Sequence, residues 1–317
     1  MSARTVALLE TLPGEQADAL RGTLPEDWTL TEGDELDGAD YLVLRDGTAD
    51  AETLAAAGNL RRVVHIEMGS GRLDGDACAA RGVPVDVIRS PALMSVAEHA
   101  VTLILMLLKR VQRVSAELRA GEIAGGVEPA VTTQEEYAFN WTGLEHWEAL
   151  YGKTIGLVGL GQIGTHAARL LNVFGADVVY TKRNRLAPAR EAELGVRYAS
   201  FDDLLRGSRC VSLHNRFDET TERMMGAREF ALMPPGAFFV NTARGRLVDE
   251  AALVEALESG HLGGAALDVF WMEPLPPDSP LVRAPNLVLT PHTGGIPIAE
   301  SRNLELQAAG RILAADG

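Results

Sequence analysis

Short apolar runs alternate with helical stretches through the N-terminal part of the chain, at residues 6–9, 41–44, 63–66 and 83–87. Runs of this length, spaced by amphipathic segments, predict parallel strands with helices on the faces of the sheet. From Ser95 to about Leu118 the spacing changes. Val96, Val101, Ile104, Leu105, Leu108, Val111 and Val114 recur at helical intervals and predict one long helix leaving the first domain.

A second βα series begins at Thr154, with strands predicted at 155–158, 178–181, 210–213, 237–241, 265–269 and 287–290. That set completes a doubly wound sheet. Residues 299–315 are again helical in pattern and are expected to pack back on the first domain, which makes that domain discontinuous: 1–98 and 296–317, around a second domain at 99–295. Residues 121–151 are polar, weakly periodic and dotted with aromatics, Trp141 and Trp147 among them. A stretch this long without elements is expected to be an arm or lid, here a candidate subunit contact, with a plain surface loop as the alternative.

Composition narrows the class. A chain of 317 residues, 46% hydrophobic, can bury two cores. Its formal net charge of -15 repels phosphate backbones, so no nucleic-acid partner is expected and any basic cluster must be local. Cys78 and Cys210 stand in unrelated contexts, which indicates neither a disulfide framework nor a cysteine metal site, and the histidines show no metal-ligand spacing. The N-terminus lacks a signal-peptide pattern, and the apolar run at 100–108 is too short to span a bilayer. A cytoplasmic location without membrane attachment is expected.

The chemistry starts at Gly159, Gly161 and Gly164, a GxGxxG directly after the strand predicted at 155–158 and directly before a helical pattern. Such glycines permit a tight turn, close approach of backbone to a pyrophosphate, and tight helix packing, with phosphates on the helix N-terminus formed by Gln162, Ile163 and Gly164. Dinucleotide binding follows. Where an NAD site ends its second strand in an acid, this chain carries Lys182, Arg183, Asn184 and Arg185. The cations point to a 2′-phosphate clamp and hence NADPH, with NAD possible; a solvated basic turn is the alternative.

Five segments together resemble the D-isomer-specific 2-hydroxyacid dehydrogenases, in order and spacing, from about Tyr41 to the C-terminus: Gly69-Ser70-Gly71; Ser95 to His99; the glycine loop; Asn241 to Glu250; and Ala266 to Pro274 followed by Thr290 to Gly295. The resemblance implies an α/β fold of two Rossmann-like doubly wound domains, a flavodoxin-like substrate domain and a dinucleotide-binding domain, with a cleft between them. It implies Arg244, Glu273 and His292 as the catalytic three. Imidazole titrates near working pH and suits a proton donor, a carboxylate favours its protonated form, and an arginine polarises a carbonyl or forks onto a carboxylate. Taken singly, His292 could equally be a structural cap and Glu273 a loop residue.

By the same resemblance, Ser70 and Gly71 are expected to hold the substrate carboxylate. Arg45 is either a second cation near the substrate or an ordinary surface arginine. Asp268 should face the nicotinamide carboxamide, Thr242 and Ala243 should line that ring, and His214, Asn215 and Gly294 should lie on the cofactor side, with His99 at the domain hinge. The family also implies a homodimer.

Two departures bear on the substrate. His214-Asn215-Arg216-Phe217 replaces the usual His-Val-Pro, and Trp271-Met272 before Glu273 is bulky enough to narrow a pocket. The expected reaction is ordered reduction of a small 2-oxo acid, NADPH docking first and domain closure expelling water. Relatives that oxidise formate carry an amide where Glu273 stands. Those that oxidise phosphite keep a similar triad but usually serve NAD, against which Lys182 and Arg183 argue. A dinucleotide-sensing corepressor of the same fold would be expected to carry further tails or a peptide-docking surface.

Overall fold

The computed structural model describes residues 4–33, 36–66, 72–121 and 128–316, and the chain divides into two compact units, 1–95 with 295–317, and 96–294. In the first unit, strands β1 (Thr5–Leu8), β2 (Thr29–Glu32), β3 (Tyr41–Leu44), β5 (Arg62–Ile66) and β7 (Val85–Ile88) form a parallel sheet in the order β2-β1-β3-β5-β7. Counted within this sheet alone, that is the flavodoxin-like order. A two-residue ladder, β4 (Thr48–Ala49) with β6 (Arg72–Leu73), lies apart from it.

One face of the sheet packs against α1 (Gly14–Arg21) and α11 (Ile298–Asp316), burying Leu20, Leu306, Ala309 and Leu313 with Val6, Tyr41 and Val64. The other face buries Leu42, Leu44 and Val63 with Leu54 of α2 (Ala51–Ala56) and Cys78 of α3 (Gly75–Ala80). Both α2 and α3 start on an aspartate, Asp50 and Asp74, whose side chain accepts a backbone N–H from Thr53 or Ala77.

The second unit holds seven parallel strands in the order β10-β9-β8-β11-β12-β13-β14: β8 (Thr154–Val158), β9 (Asp177–Thr181), β10 (Val196–Tyr198), β11 (Cys210–Leu213), β12 (Phe238–Asn241), β13 (Gly264–Leu267) and β14 (Leu287–Leu289). The central strands are buried along their length, as parallel strands covered on both faces must be. Covering helices are α4 (Pro91–Leu108), α6 (Gln162–Val173) and α7 (Pro188–Leu194) on one side, and α8 (Phe201–Gly207), α9 (Ala227–Leu232) and α10 (Glu250–Glu258) on the other. The strand order reverses between β8 and β11, so the glycine loop after β8 emerges at the switch point where such sheets bind ligands.

The single long helix expected from Ser95 to Leu118 is two helices. α4 ends at Leu108 and α5 (Val111–Arg119) restarts after Arg110, which adopts φ 55 in the left-handed region. The break has a cause: the Arg110 guanidinium lies over the Phe238 ring at 5.1 Å and donates to the Gly263 carbonyl at 2.7 Å. Beyond α5, residues 128–151 carry no helix or strand, and Tyr137, Phe139 and Tyr151 are widely exposed there.

Candidate active site

Each chemistry-bearing side chain of the second unit stands just past the C-terminal end of a strand. The glycine loop follows β8. Gly159 takes φ 94, and a Cβ there would meet the backbone of Asn215 at 2.6 Å, so only glycine fits both the turn and the close approach. At Gly164 a Cβ would meet the Gly159 carbonyl oxygen at 2.5 Å, which is how closely α6 is drawn onto the loop. A Cβ at exposed Gly161, the N-cap of α6, would meet nothing within 4 Å among the described residues. Open space over a helix N-terminus, with Gln162, Ile163 and Gly164 forming its first turn, suits a phosphate.

Three buried side-chain atoms of this unit have no partner among the described residues: Nδ1 of His214, Oδ1 of Asn215 and Oγ1 of Thr242. All three follow β11 or β12 at the same sheet edge. Buried polar atoms are almost always satisfied, so a cluster of orphans beside an open glycine loop fits a polar ligand such as a dinucleotide. His214 bonds Ser212 Oγ at 3.0 Å through Nε2, and burial pushes its pKa down to about 4, which keeps the ring neutral. Ala243 sits beside Thr242, its N–H bonded to Asn241 Oδ1 at 3.0 Å.

The basic cluster after β9 divides in two. Lys182 Nζ donates to the Leu160 carbonyl of the glycine loop at 3.2 Å, and Arg183, 80% exposed, has one long contact to Asp218 at 3.4 Å. Arg185 instead forks onto Glu191 at 2.8 and 2.9 Å and stacks over Tyr198. The bond from Arg185, joined by one from Tyr180, holds the Glu191 carboxyl down at about 2. Arg185 therefore braces β9, β10 and α7 and is not available as a third cation of a clamp.

His292 follows β14, with φ 55 and its N–H on the Thr290 carbonyl. Its Nδ1 lies 2.7 Å from Glu273 Oε2, and Glu273 Oε1 accepts the Phe270 N–H at 3.0 Å. Burial pushes the Glu273 carboxyl up, but the bonds from His292 and Phe270 and the charges of His292 and Arg244 outweigh it and hold it below the usual range. Arg244 is exposed, its NH1 donating to the Ala243 carbonyl at 2.6 Å. The arrangement joins a fixed cation, a carboxylate and an imidazole whose Nε2 has no hydrogen-bond partner among the described residues and can carry a proton.

Asp268 is held by the turn that carries His292. It is 2% exposed, and its oxygens accept Thr290 Oγ1 at 2.6 Å and the N–H groups of Thr293 and Gly294 at 2.9 Å each. Burial pushes its carboxyl up, and these bonds together with one from His99 bring it down to about 2. Asp268 thus clamps the turn that carries His292. The expectation of a hinge role for His99 missed its bond to Thr290 at 3.0 Å within this clamp. Gly294 must be glycine here, since a Cβ would stand 2.9 Å from Asp268 Oδ2.

Arg45 is not an ordinary surface arginine: it is 7% exposed, bonded to Glu305 at 3.0 Å and Asp46 at 2.6 Å inside the first unit. The buried carboxylate of Glu305 demanded a cation, and sequence gave no sign that a residue 260 positions away would supply the acid. The Trp271 ring is tied down, with Nε1 donating to the Val248 carbonyl at 2.6 Å and Arg223 stacked over it at 4.9 Å. Met272, 65% exposed, is the free bulky side chain of the pair. A cavity of about 460 Å³ lined by Glu250, Trp271, Met272 and Pro276 lies beside this loop and away from the glycine turn. Ser70 and Gly71 lie outside the described residues.

Comparison with known proteins agrees with this geometry. Residues 101–294 match the family model described as D-isomer specific 2-hydroxyacid dehydrogenase, NAD binding domain. The chain is 38% identical over 279 residues to a D-3-phosphoglycerate dehydrogenase of Mycobacterium leprae, covering 84% of this chain and 49% of the relative. It thus spans about half the length of such relatives. A glyoxylate reductase of Aeropyrum pernix is 35% identical, with 92% of this chain and 83% of the relative covered. Among solved structures, a Thermus thermophilus protein aligns with TM-score 0.59 and 31% identity over 99% of this chain and 97% of its own.

Proposed function

Since the chain belongs to the D-isomer-specific 2-hydroxyacid dehydrogenases, we propose that it reduces a small 2-oxo acid to the D-2-hydroxy acid, with NADPH preferred over NADH. The observation that carries this reading is the 2.7 Å contact of His292 Nδ1 with Glu273, beside Arg244, at the strand edge that also holds the glycine loop. When bound, the nicotinamide supplies a hydride to the carbonyl carbon. Charge then develops on the carbonyl oxygen, and this chain's residues answer it.

Arg244 is permanently cationic and polarises the carbonyl or holds the acid's carboxylate. Glu273, anionic over the working range, accepts from Nδ1–H of His292 and stabilises the imidazolium, which leaves the Nε2 proton for delivery to the oxygen. The Asp268 clamp keeps His292 where that proton is needed. His214, Asn215 and Thr242 are completed by the dinucleotide, and Lys182 and Arg183 take the 2′-phosphate.

The relatives' names offer glyoxylate and 3-phosphoglycerate chemistry, and both are 2-oxo or 2-hydroxy acids. The test is oxidation of NADPH and NADH, followed by absorbance, against glyoxylate, hydroxypyruvate, pyruvate, bulkier 2-oxo acids and a phosphorylated 2-oxo acid. Turnover with one best acid and NADPH ahead of NADH is expected. Cofactor binding without turnover of any acid overturns the assignment. We propose in addition that two copies associate through the aromatic-rich stretch 128–151, where Tyr137 and Phe139 are 67% and 75% exposed and Phe139 lies 6.2 Å from the exposed Trp147 ring.

A further inference from the structure

Two of the three reacting groups lie on separate segments outside the turn that carries His292: Arg244 on 244–250 and Glu273 on 270–273. Nothing in the hydrogen bonding of the sheet itself fixes their spacing, because both lie beyond the strand ends. Three contacts outside the sheet do. Gly245 packs on the Phe270–Trp271 peptide so closely that any Cβ would overlap the Phe270 carbonyl. Trp271 Nε1 donates to the Val248 carbonyl at 2.6 Å. The Trp271 backbone N–H donates to Glu250 Oε1 at 2.9 Å.

The indole is held flat as well as hydrogen-bonded. Arg223 lies over it at 4.9 Å and Arg246 at 5.6 Å. Glu250 is fixed by being the first residue of α10, whose N-cap Asp249 accepts from Ala251 and Ala252. The next amide back from Trp271, that of Phe270, is the one that binds Glu273 Oε1. Rotation of the Trp271 peptide would therefore move the donor that aims Glu273 at His292.

We propose that Trp271, held through its backbone by Glu250 and through its indole by the Val248 carbonyl, is the positioning residue that sets the Glu273–His292 pair relative to Arg244. Neither Trp271 nor Glu250 touches the reacting atoms in this account. The inference rests on the assignment of Arg244, Glu273 and His292 as the reacting groups. Misplacement of a reacting group by a fraction of an ångström to one ångström costs up to about 10²-fold in rate, so a clasp of three contacts can be read kinetically.

The experiment compares Trp271→Phe, Glu250→Ala and Glu250→Gln in the full chain, with His292→Gln alongside. It measures kcat and KM for the best 2-oxo acid across pH, nicotinamide affinity by fluorescence titration, and thermal midpoint. Trp271→Phe keeps the ring and loses the donor; Glu250→Gln keeps an acceptor for Trp271 that Glu250→Ala removes. The expected result is a fall in kcat of about tenfold for Trp271→Phe and Glu250→Ala, with nicotinamide affinity within about twofold. The acidic limb of the profile moves up, and Glu250→Gln recovers most of the loss. Unchanged kcat and acidic limb in Trp271→Phe overturn the proposal, as does a Glu250→Gln as impaired as Glu250→Ala. A lower thermal midpoint without change in the profile reduces the clasp to a purely structural role and overturns it too. Full activity of His292→Gln would instead overturn the underlying site assignment. If Trp271→Phe does not fold, the two Glu250 variants decide.

Discussion

Nδ1 of His292 lies 2.7 Å from Oε2 of Glu273 while His292 itself sits in the left-handed backbone region at φ 55. A residue with a Cβ occupies that region at a cost, and here the surrounding bonds to Asp268 hold it. If this pairing delivers the proton, His292→Gln lowers kcat/KM for the best 2-oxo acid by about 10²-fold or more, with nicotinamide affinity little changed. Steady-state rates and fluorescence titration check it, and a variant with parental kcat rules His292 out.

Asp268→Asn tests the clamp. An amide presents donors where Asp268 now accepts from Thr290, Thr293 and Gly294, leaving at least one buried group unpaired. The expected loss is about 2–3 kcal/mol of stability, read by denaturant titration, together with a lower kcat because the turn bearing His292 loosens. An unaffected denaturation midpoint would show that the carboxylate is dispensable.

Lys182→Asp combined with Arg183→Ala should lower the NADPH-to-NADH ratio of kcat/KM by about tenfold or more, since charge-assisted bonds to a phosphate are removed. Arg185→Ala is the control: it leaves Glu191 with the Tyr180 bond alone and loses the stack on Tyr198, so it lowers the thermal midpoint and leaves the ratio alone. Equal ratios in the double variant and the parent refute the clamp.

His214 gives a pH signature. Burial takes its pKa from 6.5 to about 4. The unfolded chain therefore binds more protons between those values, and folded stability declines as pH falls from 6.5 through 4. His214→Gln removes this component, so its thermal midpoint should fall less steeply over that interval. Parallel slopes would mean that the ring is solvated in the folded protein.

Association through residues 128–151 predicts that Tyr137→Asp with Phe139→Asp halves the apparent mass in sedimentation velocity. Both side chains are well exposed, at 67% and 75%, so the charges cost the isolated fold little. A parent that sediments as a monomer contradicts the proposal directly.

Much of the fold was legible because buried parallel strands announce themselves as apolar runs: 41–44 and 210–213 coincide with β3 and β11. Two of the edge strands do not: β2 reads Thr-Leu-Thr-Glu and β10 Val-Arg-Tyr, and neither is an apolar run. The helix break at Arg110 escaped because the apolar period continues across it, and the cause, a ring on β12, is 128 positions distant. The glycine loop was legible because its constraint is local. The partners of Arg45 and Asp268 were not, because they are set by what the tertiary fold brings up, and a charge in sequence says only that a partner is needed.

The first unit's last helix has a consequence for biogenesis. Arg45 closes on Glu305, and Leu20 packs with Leu306 and Leu313; Glu305, Leu306 and Leu313 are all made after the whole of the second unit. The second unit, contiguous from 96 to 294, builds its two cores without α11. Without α11 one face of the first sheet keeps α1 but lacks Leu306, Ala309 and Leu313, and Arg45 keeps Asp46 but lacks Glu305. The first unit is therefore expected to be vulnerable to proteases and to aggregation until α11 is in place, and released chains truncated before residue 298 should show protease resistance in the 96–294 unit alone.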